Sequence, residues 1–319
     1  MKRALIIAVV TAAGVAATYS ATRSPGPELG TLLRAPAWTF ASSMPHRRSY
    51  AASAEIGGKV YVAAGMVGAT GRPLTLFERF DPVHDSWVSL PSVPRAFSAA
   101  AGTAVGGRMY VVGGNAGGVS GRQVFSYDVA RRHWAEMAPL PAPRTNLALA
   151  TLGHTIYAIG GLDPVHATNT VFAYDTRADR WTSLAPLPVK LQALSAITFE
   201  GKIWALGGRN ANGVVVRSVW IYDPKANRWS PGPTMPAPME TFGTAVVGQK
   251  IYAVLAARTI IYDGQTRHWG SGPTLEVPRH ALALFAAAGR LYAIGGCTVP
   301  QYEDSAVVEA LPLGVKTVS

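Results

Sequence analysis

Apolar residues in this chain come in short runs, broken so often by glycine and proline that strands and turns, not helices, are predicted. Runs such as "MYVVGG", "IYAIGG", "IWALGG" and "LYAIGG" end in glycine pairs, at Gly113-Gly114, Gly160-Gly161, Gly207-Gly208 and Gly295-Gly296. A second run then ends in Tyr-Asp: "VFSYD" to Asp128, "VFAYD" to Asp175, "VWIYD" to Asp223 and "TIIYD" to Asp263. A polar turn leads on to tryptophan, at positions 38, 87, 134, 181, 229 and 269, spaced 49, 47, 47, 48 and 40 apart. A smaller apolar run, such as "LALATL" (147–152), precedes each glycine-ended one. Each unit therefore predicts four short strands. The runs are nearly continuously apolar rather than alternating, so both faces of each small sheet need cover. Sheets packed radially about an axis cover one another and expose only a short outer edge.

The two ends of the pattern complement each other. The last unit reads "HALALF", "RLYAIGG" and "AVVEALPL" and has no tryptophan strand, whereas the pattern opens on "WTFASSMP", which begins with one. Joining Trp38-Thr39-Phe40 to the last three strands gives six closed units and removes the open sheet edges.

Glycine pair, Tyr-Asp, tryptophan and a following proline turn of the "PxPR" kind, recurring in phase over six units, resemble the kelch repeat. The resemblance runs from residue 38 to about 313 and implies an all-β, six-bladed propeller of four-stranded antiparallel blades. The first blade departs from it with "VAAG" (Ala64-Gly65). The fifth departs further, with Leu255-Ala256 where the pair should be and the short period of 40.

The resemblance also places the chemistry. The segments leading into the innermost strands, and the loops after the glycine pairs, surround one mouth of a central channel. The expected ligand-binding residues there are Arg48, Arg95, Arg144, Asn146, Lys190, Arg209, Arg258 and Arg279, with Arg47 nearby. Guanidinium forks suit carboxylate, phosphate or sulfate, and clustered charge in a concavity focuses the field on an anion. The expected function is a binding module for an anionic small molecule, an acidic glycan or an acidic protein surface. The alternative is an isomerase or lyase acting on an acidic sugar, with Glu240 and His280 as the candidate catalytic pair. A carboxylate among arginines has a depressed pKa, which suits it poorly to act as an acid.

A copper-radical oxidase of the galactose oxidase kind would need two tyrosines and two histidines around the metal. His46, His166 and His280 near the mouth give no such set, so neither metal nor cofactor is expected. Asp163 with His166 reads as turn chemistry. "GGNAGGVSG" (113–121) lacks both the dinucleotide spacing and a P-loop lysine.

Charge and the N-terminus complete the reading. The formal net charge of +11 favours acidic partners, but no basic run marks a nucleic-acid footprint. Residues 1–21, "MKRALIIAVVTAAGVAATYSA", have the anatomy of a signal peptide or an uncleaved N-terminal anchor, which would be the sole membrane contact. No cysteine follows the apolar stretch, which argues against a lipoprotein. Residues 22–37 read as a linker and 314–319 as a tail. The expectation is an exported, periplasmic or secreted, monomer. Cys297 is the single cysteine, so no internal disulfide can form.

Overall fold

Every strand in the computed structural model, which describes residues 36–68 and 71–314, is short, and the described residues contain no helix. The predicted signal or anchor at 1–21, and most of the linker, lie outside the described residues. Six four-stranded antiparallel sheets form, each a simple meander. Blade three is typical, with Ala148–Leu152 innermost, then Thr155–Ile159, Val171–Asp175 and Arg180–Ser183.

The sixth blade is made from both ends of the propeller. Ala283–Ala287, Arg290–Ile294 and Val308–Pro312 are joined by Thr39–Ala41, with Thr39 opposite Ala310 and Ala41 opposite Val308. The predicted closure is therefore present.

Continuous apolar runs make sense in this packing. Six buried clusters form, one between each pair of neighbouring blades, such as Tyr110, Ile156 and Tyr174 between blades two and three. The tryptophans add a directional link. Each indole Nε1 of the recurring series donates to a carbonyl of the preceding blade: Trp87 to Ser42, Trp134 to Pro91, Trp181 to Ala138, Trp229 to Ala185 and Trp269 to Pro233. Trp38 donates to Pro273 at 3.1 Å and completes the circle. Recurrence of tryptophan is thus structural, as aromatic residues that bury a large area and still satisfy an N–H should be.

Tyr-Asp is scaffold as well. Asp223 accepts from the turn N–H groups of Lys225 and Ala226 and pairs with Lys202, whose ammonium and those amides hold its carboxyl below the usual range. Tyr222 donates to Asn227, and its phenol is pushed up to about 12, chiefly by burial. These turns all open on one face. The lead-in segments and the loops after the glycine pairs open on the other.

The second glycine of each pair sits at positive φ, and a Cβ there would meet the lead-in backbone. It would lie 2.7 Å from the Thr145 carbonyl oxygen at Gly161 and 2.5 Å from that of His280 at Gly296. Glycine is what lets the chain come close enough to pair there.

Candidate functional site

Six residues, one per blade, turn the chain from the mouth face into the innermost strands: Tyr50, Ala99, Asn146, Ala193, Thr241 and Ala281. All lie in the left-handed region, with φ between 49° and 52°. Such a conformation costs about 1 kcal/mol or more for a non-glycine residue, and a structure keeps it where surrounding contacts fix it. Here those contacts run from blade to blade. Ala99 N–H donates to the Tyr50 carbonyl, Asn146 to Ala99, Ala193 to Asn146, Thr241 to Ala193 and Ala281 to Thr241, at 2.6–3.1 Å. Among the described residues no such bond links Ala281 back to Tyr50.

This neck encloses about 160 Å³. Below it the channel widens to about 450 Å³ and is lined partly by hydroxyls, with Thr103 and Thr151 bonded at 2.7 Å and Ser195 and Thr244 at 2.6 Å.

Above the neck is a mouth cavity of about 430 Å³. Tyr50, Asn146, Gln192, Glu240, Thr241, His280 and Tyr302 bring polar groups to it. His280 stands edge-on between two tyrosines, 6.0 Å from the Tyr50 ring and 5.9 Å from that of Tyr302. Arg209 grips the Glu240 carboxylate with Nε, at 2.8 Å, and with Nη2. That pairing raises the Arg209 pKa and keeps Glu240 as an oriented acceptor.

Burial pushes His280 below its ordinary value of 6.5, against a smaller opposing pull from Glu240. The native imidazole is therefore neutral at pH 7. As pH falls, the unfolded chain takes up this proton first. The His280 contribution to stability is therefore present above about pH 6.5 and lost as pH drops through the lower native pKa. Urea melts across pH 5 to 7.5 (about a pK unit on either side of free imidazole) should show this slope, and His280→Gln should flatten it.

Residues 50–255 and 103–296 match the family described as the KLHDC2/KLHL20/DRC7 Kelch-repeats domain. The chain belongs to the kelch-repeat family. No curated protein matches it. Kelch propellers commonly act as protein-interaction modules.

Within this kelch propeller the expected mouth residues divide sharply. Three are corrected, because Arg48, Arg144 and Arg279 are at most 2% exposed and point into the blades. Arg279 donates to the carbonyls of Gly295 and Val307 and pairs with Glu309 at 2.9 Å. Arg48 lies 2.8 Å from Glu78 and donates to the Val62 carbonyl. Arg144 pairs with Asp163 at 2.9 Å and stands over the Phe172 ring at 5.6 Å. All three guanidinium groups thus take their partners from within the blades, although Arg48 leaves its Nε without a hydrogen bond. Asp163 and His166 stay opposite each other across the tight turn of a short hairpin, as turn chemistry requires, with the Asp163 carboxylate on Arg144.

Asn146 and Arg209 are at the neck and mouth as expected, and so are Glu240 and His280. Arg95, Lys190 and Arg258 are exposed on the mouth face and make no ion pair among the described residues. Cys297 is buried behind His280, and burial raises its thiol pKa.

Charge-led reading of the sequence missed Tyr50, Gln192, Thr241 and Tyr302. The signal that finds the first three is position. They lie at or beside the last residue before each inner strand, within "RRSY", "KLQA" and "METF".

Proposed function

We propose that this kelch propeller is an interaction module whose mouth face receives an acidic protein segment or another anionic ligand. One observation carries the reading. Arg95, Lys190 and Arg258 stand exposed on that face with no ion pair among the described residues, whereas Glu78, Asp163, Glu240 and Glu309 each lie in an ion pair with an arginine. With exposed Arg47 added, and exposed Glu276 and Glu303 set against them, the face keeps an excess of positive charge around a cavity able to take a side chain or a small ring. The N-terminal pattern of residues 1–21 supports export, and nothing in this reading needs more than a monomer.

A fluorescein-labelled hexaglutamate peptide is the probe, followed by anisotropy. Raising salt from about 50 to about 300 mM should weaken its binding, because exposed charges are screened. The triple variant Arg95→Glu, Lys190→Glu, Arg258→Glu should weaken it about 10-fold or more, at a few tenths to 1 kcal/mol per exposed contact. Lys225→Glu with Arg228→Glu, on the opposite face, should leave it unchanged. Equal losses from the two faces would refute a mouth-face site.

The second reading, catalysis on an acidic sugar, is favoured by Glu240 and His280 lining one cavity. Neutral His280 is the better proton acceptor there, because Arg209 occupies both oxygens of the Glu240 carboxylate. Turnover of acidic sugars that Glu240→Gln and His280→Gln both abolish would establish it over simple binding.

A further inference from the structure

Blade five lacks a contact that the other five blades make. In each of those, the residue just before the neck pairs with the residue just after the second glycine. The pairs are Ser49 with Met66, Ser98 with Asn115, Thr145 with Leu162, Gln192 with Arg209 and His280 with Cys297. Blade five has no glycine pair. Its chain turns back at once, Leu255 pairing with Arg258, while Ala256 keeps the bond to the next blade, here to Arg279, that the second glycine position makes in the others.

Glu240, the sixth member of the series, is left without a strand partner among the described residues. Its N–H finds no acceptor there, and its carbonyl accepts only from the Thr241 hydroxyl at 2.7 Å. Beside it lies a groove of about 910 Å³, walled by Pro236, Pro238 and Met239 on one side and by Leu255, Ala257 and Ile260 on the other. Leu255 and Ala256 line both this groove and the mouth cavity, so the two adjoin. Thr259 lines the groove too; it is 1% exposed and its Oγ1 has no hydrogen-bond partner. Arg258 stands exposed at the edge.

We propose that this slot docks an extended segment of a partner protein, whose backbone pairs with Glu240 as the residue after the glycine pair does in other blades. An apolar side chain of that segment rests on Met239, Leu255 and Ile260, and a neighbouring Asp or Glu meets Arg258. Backbone pairing supplies affinity here, and the side chains on either side supply selectivity. The inference deepens the interaction-module reading and rests on it, because it names the part of the mouth face that a partner grips.

The test pans a displayed random heptapeptide library on the full chain and measures the enriched peptides by anisotropy. Enriched sequences should place an apolar residue beside an acidic one. Replacing Leu255–Arg258 with the Gly207–Ser218 segment of blade four would fill the slot, and it should cut binding at least 10-fold. Ala257→Trp, a smaller change that only occupies the groove, should act in the same direction and guards against misfolding of the graft. Arg258→Ala should cost acidic peptides several-fold. N-methylation of one peptide amide should abolish binding, since it removes the donor to Glu240 or blocks the approach.

Peptides that bind the graft and Ala257→Trp as well as they bind the parent would overturn the proposal, as would a library that enriches nothing. A concentration-dependent dimer that the graft abolishes would overturn it in favour of a second copy of this chain. Binding lost on Arg95→Glu with Lys190→Glu but kept in the graft would sink the slot and leave the basic rim standing. The reverse pattern would keep the slot and sink the rim.

Discussion

Glu309→Ala is expected to destabilise the propeller by about 3–5 kcal/mol, the usual consequence of leaving one member of a buried ion pair alone. Both partners, Glu309 and Arg279, are fully buried. Burial depresses the arginine pKa, and Glu309 opposes that by Coulombic attraction and a hydrogen bond. Glu309 also accepts the N–H groups of Glu276 and Val277 at 2.7 and 3.2 Å, so its loss strands two amides as well as a guanidinium. Urea melts read the effect. The double change Arg279→Met, Glu309→Leu should recover much of the loss, because no unpaired charge then remains inside. A double variant no more stable than the worse single change would show that the carbonyls bound by Arg279, not its charge, dominate.

Trp38→Ala should cost a similar amount, about 3–5 kcal/mol, through the cavity it leaves between blades five and six and the lost bond to Pro273. Deletion goes further than substitution. A chain beginning at Pro36 keeps the pairing of Thr39–Ala41 with Val308–Pro312, whereas one beginning at Met44 exposes that edge. The shorter chain should melt well below the longer one and scatter light on heating, as unpaired edges do. Equal melting of the two would remove Thr39–Ala41 from any role in closure.

The blades were legible in the sequence because each of their devices is local and recurs: the glycine pair, the Asp-anchored turn and the indole that donates to the previous blade. Even the irregular fifth blade was visible as a short period without its glycines. What that irregularity leaves open was not visible, since Glu240 loses its partner only once all six lead-in segments are superposed in space.

The arginines were misread for a different reason. Arg144 immediately precedes the pairing residue Thr145, which turns it into the blade, whereas Ala96 and Phe97 separate Arg95 from the pairing residue Ser98 and carry it out to solvent. The same Pro-Arg spelling thus serves two opposite environments. A clue did exist in the third strands. "FERFD" and "VEALP" carry Glu78 and Glu309 where blades two and three have Phe125 and Phe172. A carboxylate in so apolar a strand calls for a buried cation.

The circle of indole bonds has a consequence for how this molecule comes apart. Repeats stacked in a line can fray, because each terminal repeat has a single neighbour and little holding it. A hoop has no terminal repeat. Every wedge here is gripped on both flanks, so loss of structure should begin with rupture at one joint and then engage the whole circumference. The joint made of non-contiguous chain, where the first three-residue strand meets the last blade, is where that rupture belongs.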